Sequence, residues 1–219
     1  MTDPRSKKEK EAGELSVTAK KAVVTAFTEA RTGKQKDIDN KYIRKGNAVE
    51  EDSITLLSLH FARYFQKNEK QFENQFLTGT PDIITDDAVW DVKSSWDEFT
   101  FDTARFVDQV KPAYYGQLQG YMELKKKKVA YLAYCLIDTP ESEIEKQVYY
   151  WRKDNPLASM EDEQAYTDTM RFDYPASERI AVFKIKHDPA YIKKLYDRMP
   201  AVREYAGALE TMKSKSITE

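Results

Sequence analysis

Two aspartates and a lysine in the middle of the chain have the types and spacing of residues that assist a reaction through a metal ion. Side chains on a β-strand alternate between its two faces, so Asp91 and Lys93 should stand together on one face. Trp90 and Val92 would then anchor the opposite face in the core. Asp82 lies nine positions before Asp91, across a predicted turn, and a hairpin of that length brings it back beside Asp91.

Such an arrangement favours a metal site with a base beside it. Two carboxylates held close together repel each other unless a cation lies between them. Oxygen-only ligation favours Mg²⁺ or Mn²⁺, and the neighbouring lysine could hold a water molecule or stabilise a developing phosphate charge. A surface hairpin with ordinary acidic turns and a cross-strand lysine–aspartate pair is the alternative, and these residues alone leave both interpretations open.

A third carboxylate, Glu50, falls on the apolar side of a predicted helix. In a helix over Asn47–Gln66, Glu50 shares a face with Ile54 and Leu57, whereas Glu51 faces solvent. A carboxylate on an apolar face is costly to bury without a partner or a metal ion. Glu50 is therefore a candidate ligand, with an N-terminal acid stabilised by the helix dipole as the alternative.

Gln117 and Tyr121 form a fourth feature because they are four residues apart in a helix that Pro112 opens. Gly116 and Gly120 form a neighbouring stripe of small residues, which would let this helix approach the sheet closely. Close packing would press Gln117 and Tyr121 toward the strand face that carries the charged residues. An amphipathic helix with an ordinary core tyrosine is the alternative.

The elements that must position these residues follow from the hydrophobic period and from turn residues. The order of helices, a strand cluster, a helix, a buried strand, late strands and a last helix predicts an α/β (α+β) fold, with a central mixed sheet flanked by helices. The predicted helices cover Leu15–Arg31, Asn47–Gln66, Pro112–Lys126 and Pro189–Met212. The predicted strands cover Gln71–Leu77, Asp82–Ile84, Val89–Lys93, Val129–Ile137, Gln147–Arg152 and Arg179–Lys186, with a turn at Thr78–Pro81 and a long loop at Lys153–Ser177.

Composition excludes several other classes of protein. The 219 residues are 41% hydrophobic, 33% charged and carry a net charge of −2, which suits one folded domain over 15–219. One cysteine, Cys135, and two histidines exclude a disulfide scaffold, a four-cysteine zinc site and an iron–sulfur cluster. The sequence shows neither a membrane span nor a signal peptide, which predicts a cytoplasmic protein.

The charge is unevenly distributed along the chain. The first 46 residues hold 12 lysines and arginines against 7 acidic residues. Residues 1–14 are predicted to be a basic, flexible N-terminal arm, which could meet a polyanion or be a solvated tail.

Four short motifs occur in the order and approximate spacing of one nuclease superfamily. Gly46-x-x-x-Glu50, Gly79-x-Pro81-Asp82, Asp91-x-Lys93 and Gln117-x-x-x-Tyr121 together resemble the PD-(D/E)XK nucleases, which have a restriction-endonuclease-like core. Within that superfamily the chain is similar to the lambda-exonuclease and YqaJ-type viral recombinase branch. The motifs cover residues 46–121, and the resemblance extends more loosely over the whole chain by length and order of elements.

The resemblance implies roles for individual residues. Asp82, Asp91 and the backbone carbonyl of Val92 would bind the catalytic Mg²⁺, for which Mn²⁺ could substitute, and Glu50 would complete the metal site. Lys93 would position the attacking water. The resemblance also implies that Gln117 and Tyr121 orient Lys93 or the DNA backbone. In the lysine run after this helix, Lys125 and Lys126 are candidate phosphate contacts, with a solvated helix end as the alternative.

The implied activity is that of a metal-dependent DNA exonuclease of phage or prophage type in a bacterial host cell. Such enzymes resect DNA ends for recombination, some of them as rings of identical subunits, and a single-strand annealing protein is an implied partner. The same residues would serve an endonuclease or a structure-specific nuclease. A catalytically silent relative that binds DNA or a protein is a further alternative, which the presence of Asp82, Asp91, Lys93 and Glu50 disfavours.

Overall fold

The computed structural model describes the backbone of residues 14–215 and the side chains of residues 14–212. Groups of helices and strands alternate along the chain, and helices pack on both sides of a sheet. The helices are α1 (Val17–Thr32), α2 (Lys41–Ala48), α3 (Glu50–His60), α4 (Glu98–Asp102), α5 (Pro112–Lys125), α6 (Glu141–Asp154), α7 (Met160–Asp168), α8 (Pro189–Tyr196) and α9 (Met199–Lys215). The strands are β1 (Phe72–Glu73), β2 (Thr78–Gly79), β3 (Ile83–Ile84), β4 (Ala88–Ser95), β5 (Val129–Leu136) and β6 (Ile180–Lys186). A π-helical turn, Thr103–Asp108, continues α4, and a 3₁₀ turn covers Ala176–Glu178.

The central sheet has four strands in the order β3-β4-β5-β6. Strands β4 and β5 are parallel, with α5 as the crossover between them, and the other two pairings are antiparallel. Strands β1 and β2 form a separate antiparallel pair. This architecture confirms the predicted fold class.

Each face of the sheet buries its own apolar cluster. On one face Trp90 and Val92 of β4 pack in a cluster that includes Leu57 of α3. On the other, Val89 packs in a cluster with Leu118 of α5. Strand β4 therefore has helices on both sides, and Asp91 in its middle is fully buried.

The chain divides into two compact units. One unit is Asp39–His187 and contains the whole sheet. The other joins the described residues up to Ile38 with those from Asp188 onward; in it α1 packs with α9, and Ser16 caps α1 by accepting a hydrogen bond from Ala19 N at 3.1 Å. The predicted basic arm lies outside the described residues, apart from Glu14. No helix within the described residues has the length and apolar character needed to cross a membrane.

Several predicted elements were wrong, each for a physical reason. Residues 147–152 are aromatic-rich and were predicted to be a strand, but they lie in α6, where acidic residues in the first turn and Arg152 and Lys153 in the last complement the helix dipole. The predicted loop 153–177 contains α7, which Ser159 and Asp162 start with a capping box. The predicted turn 78–81 contributes β2.

Two predicted helices are broken in the structure. The helix predicted over 47–66 covers the end of α2, which begins at Lys41 and was not predicted, and all of α3; the two are separated at Val49, whose φ of −111° is not helical. The second of these ends at His60. The closing helix is likewise divided into α8 and α9.

Candidate active site

The hairpin of β3 and β4 holds Asp82 beside the middle of β4. Ile83 pairs with Trp90 across the hairpin, and Asp82 N donates to Trp90 O at 3.1 Å. The Asp82 side chain is fixed as well, because its Oδ2 accepts a hydrogen bond from Val92 N at 2.6 Å. The carboxylate therefore lies directly against the Asp91–Val92–Lys93 segment.

Asp91 and Lys93 form an ion pair on β4. Asp91 is fully buried, and Lys93 Nζ lies 2.8 Å from its Oδ2. Neither carboxylate oxygen of Asp91 has a hydrogen-bond partner of good geometry among the described residues. A buried anion with unfilled acceptor positions favours the approach of a further cation.

The electrostatics of these three groups show the same deficit of positive charge. Burial and the charge of Asp91 raise the pKa of Asp82 to about 7, although the Val92 N–H and Lys93 act in the opposite direction. Burial also raises the pKa of Asp91, against the opposing effect of Lys93. Burial alone would lower the pKa of Lys93, but Asp91 and Asp82 offset this and hold it above its ordinary value. The single ammonium of Lys93 thus neutralises part of the charge of two carboxyl groups, the buried Asp91 and the partly buried Asp82.

The donor set fits a hard divalent cation. Two neighbouring carboxylates, those of Asp82 and Asp91, offer oxygen ligands, and ligands of this kind suit Mg²⁺ or Mn²⁺. Within the described residues, no three histidine, cysteine, aspartate or glutamate side chains are grouped so that they could hold a metal ion as they stand. The structure thus brings Asp82 and Asp91 together and leaves Glu50 outside that pair.

Glu50 is the first residue of α3 and lines a cleft of about 440 Å³. Asp82, Val92 and Lys93 line the same cleft. Glu50 Oε2 lies 3.5 Å from Lys67 Nζ, and the glutamate side chain is 28% exposed. Glu51, in contrast, is 82% exposed and does not line the cleft.

Gln117 and Tyr121 lie on α5 and are joined by a hydrogen bond. Gln117 Nε2 donates to Tyr121 Oη at 2.7 Å, which leaves the phenolic proton available to another acceptor. Burial raises the pKa of this tyrosine, and the charges of Asp91 and Asp82 act in the same direction. Tyr121 is therefore a protonated donor within the electrostatic influence of the carboxylate pair.

Gly79 explains how this tyrosine comes close to the hairpin. A Cβ atom at Gly79 would lie 2.6 Å from Tyr121 Cε1, which is closer than any side chain tolerates. The absence of a side chain at this position lets β2 pack directly on the ring.

Lys125 and Lys126 end the same helix. Lys125 Nζ lies 3.7 Å from the centre of the Phe72 ring, on the β1–β2 hairpin. Lys126 is exposed and adopts a left-handed conformation, with φ of 52°, as the residue that caps α5.

Other residues of the site carry no motif. Tyr114 lines the cleft, with its ring centre 5.3 Å from Lys93 Nζ. Tyr42, Ile43 and Asn47 of α2 line it too. Ile43, Asn47 and Glu50 are four and three residues apart, a spacing that could have indicated a shared helix face. Lys67 lies in an irregular segment, and no periodic pattern in the sequence indicates its position.

Comparison with solved structures relates nearly the whole chain to exonucleases. A phage-related exonuclease from Haemophilus somnus superposes with a TM-score of 0.75 and 30% sequence identity, over 97% of this chain and 91% of that protein. An alkaline exonuclease from Laribacter hongkongensis gives a TM-score of 0.64 and 13% identity over 94% of each chain, and its complex with dAMP gives 0.63 and 13% over the same shares. At 13% identity this second likeness shows the fold alone. No protein-family model and no curated protein matches the chain.

Proposed function

Because the chain belongs to the phage-related exonucleases of the PD-(D/E)XK superfamily, we propose that it is a Mg²⁺-dependent deoxyribonuclease that digests DNA from its ends. One observation carries the proposal. Asp91 is a buried carboxylate that pairs with Lys93, and Lys93 and Asp82 line an open cleft. An ordinary surface hairpin would expose these groups to water.

Asp82, Asp91 and the Val92 carbonyl would hold the ion, and Glu50 would take part through a water molecule or a second ion. With Mg²⁺ or Mn²⁺ bound, the pKa of the metal-bound water would be lowered and the negative charge of the phosphate would be partly neutralised. Asp82 is already oriented for this role by the Val92 N–H.

Lys93 would position the attacking water and stabilise the charge that develops on the phosphate. Its ion pair with Asp91 keeps the ammonium charged and fixes its direction. Tyr121, oriented by Gln117, would donate to Lys93's water or to the DNA backbone. Preorganised donors of this kind stabilise transition-state charge without reorganising during the reaction.

DNA ends are the proposed substrate, in resection for phage recombination. Lys125, Lys126 and the basic arm would contact backbone phosphates, so binding should weaken steeply with added salt. A single-strand annealing protein is the proposed partner for the exposed strand, and a ring of identical subunits the proposed assembly.

The deciding experiment compares an end-labelled linear duplex with a covalently closed circle, in Mg²⁺ and in EDTA. We expect Mg²⁺-dependent loss of the linear DNA alone, with the position of the label giving the polarity. The Lys93→Ala variant should bind DNA and metal but cleave neither substrate. Cutting of the circle would instead establish an endonuclease, and intact linear DNA in both Mg²⁺ and Mn²⁺ would refute the proposal.

A further inference from the structure

Lys67 pairs with Glu50, which lines the cleft, although no motif includes this lysine. Its Nζ lies 3.5 Å from Glu50 Oε2 and 4.0 Å from Glu51 Oε1, and its side chain is 32% exposed. It is therefore a cation that water and a ligand can both reach.

The backbone around Lys67 is attached to the metal-binding hairpin. Lys67 forms an antiparallel bridge with Ile83, and Asn68 N donates to Asp82 O at 2.7 Å. The Asn68 side chain donates from Nδ2 to Pro81 O at 2.8 Å and to Lys70 O at 3.0 Å. This segment thus forms an added edge beside the Pro81–Asp82 motif, and the position of Lys67 is fixed relative to the hairpin.

The charges around Glu50 are consistent with two roles for Lys67, one in the metal-free protein and one when metal and DNA are bound. Before a metal ion is present, Asp91 and Asp82 both act on Lys93, and Lys67 supplies a second positive charge by pairing with Glu50. Glu50 would serve as a ligand when a divalent cation is bound, and the Lys67 ammonium would then lose its main partner. A freed lysine beside a phosphodiester site is suited to contact a phosphate oxygen.

We infer that Lys67 is a phosphate-contacting residue of this active site, held by Glu50 in the metal-free protein and transferred to the DNA phosphate when the divalent cation binds. The inference rests on the proposed nuclease function and adds a residue and a step to it. An alternative role, in which Lys67 only stabilises the fold around α3, makes the opposite prediction for metal binding.

The test uses the Lys67→Met variant, with Lys70→Met as the matched control. Lys70 belongs to the same segment, but its Nζ lies 5.5 Å from the Phe72 ring centre and it forms no ion pair with Glu50. Calorimetric titration with MgCl₂ should show that Lys67→Met binds Mg²⁺ as tightly as the wild type or up to about fivefold more tightly, because Glu50 no longer has a competing cation.

DNA binding and cleavage should change in the other direction. DNA binding is measured with a short duplex in proteins that also carry Lys93→Ala, so that the DNA is not cleaved. Adding Lys67→Met should make the slope of log K against log salt shallower by about 1, which corresponds to the loss of one phosphate contact. Single-turnover cleavage by the otherwise wild-type enzyme should fall by about tenfold or more, and Lys67→Arg should restore most of both. Lys70→Met should leave the Mg²⁺ titration unchanged.

Weaker Mg²⁺ binding in Lys67→Met would overturn the inference, because it would assign the lysine a purely structural role. An unchanged salt slope together with unchanged cleavage would overturn it equally. Failure of the proposed function is distinguishable, since it would appear as intact linear DNA with the wild-type protein. The Mg²⁺ titration and the salt slope would still decide the role of Lys67.

Discussion

Replacing Asp82 by asparagine should stabilise the metal-free protein while abolishing cleavage. The pKa of Asp82 in the folded chain is raised from 3.8 to about 7 by burial and by the charge of Asp91. Folding above pH 7 therefore requires a carboxylate to be ionised in a place that favours the neutral acid. At about 1.4 kcal/mol for each pKa unit, this opposes folding by up to about 4 kcal/mol. Asparagine removes the charge and keeps an oxygen that can accept from Val92 N.

The sign of the pH dependence follows from the direction of the shift. Below about pH 4 the acid is protonated in both states and opposes folding in neither. Between about pH 4 and pH 7 the unfolded chain ionises first, so the wild type loses stability as the pH rises. The advantage of Asp82→Asn at pH 5 should therefore be less than half of its full value, which is reached near pH 8.

Thermal unfolding in EDTA at pH 5 and pH 8 measures this advantage. For a chain of this size 1 kcal/mol moves the midpoint by roughly 2–4 °C, so the variant should unfold about 10 °C above the wild type at pH 8. Mg²⁺ at about 100 times its dissociation constant should then stabilise the wild type by about 2.7 kcal/mol and the variant by much less. The control is Asp86→Asn, an exposed acid in the turn of the same hairpin, which should change neither result.

Two results would refute the reasoning. If Asp82→Asn were no more stable than the wild type at pH 8 in EDTA, then burial and repulsion at Asp82 would not oppose folding as argued. If Mg²⁺ stabilised both proteins equally, the ion would bind away from this carboxylate pair.

Three further tests address two parts of the site and one buried lysine outside it, Lys45, whose Nζ donates to Trp96 O at 2.8 Å. Gly79→Ala should destabilise the protein by about 1–3 kcal/mol in urea unfolding and slow cleavage, because its Cβ would press on the Tyr121 ring. Glu50→Gln should reduce Mg²⁺-dependent cleavage far more than Glu51→Gln, and equal losses would contradict the assignment of helix faces. Burial lowers the pKa of Lys45 to about 8, so between pH 8 and 10.5 the unfolded chain binds more protons and stability should rise with pH. Relative to Lys45→Met, the wild type should gain about 2–3 kcal/mol in urea unfolding from pH 7 to pH 10, and parallel curves would contradict this pKa.

The fold was predictable where one local signal outweighed the others. The unbroken apolar run that became β5 is explained by its burial between two helical layers, and Pro112 marked the start of α5 correctly. The strand prediction within α6 was wrong because the tyrosines and Trp151 there have a high local preference for strands. The helix is indicated instead by Ile144, Val148 and Trp151, which recur at the helical spacing of four and three residues.

The site was predictable only along single elements. Alternation along β4 predicts that Asp91 and Lys93 share a face, and the length of the hairpin predicts that Asp82 returns beside them. Lys67 reaches Glu50 from a segment that bridges to β3, and Tyr114 reaches the cleft from the crossover helix. Such contacts between distant segments leave no local pattern in the sequence.

The burial of Asp91 is best understood from the opposite face of its own strand. Desolvating an incompletely paired carboxylate costs several kcal/mol, so β4 would gain by turning Asp91 outward. Any such rotation would carry Trp90 out of the core, where its ring stacks on Tyr131 at 4.2 Å and also contacts Phe65 at 5.0 Å. Large aromatic side chains contribute some of the strongest packing in a core, and β4 is paired with neighbours on both sides. The aromatic cluster on one face therefore holds the carboxylate on the other in a strained electrostatic state, which a divalent cation would relieve.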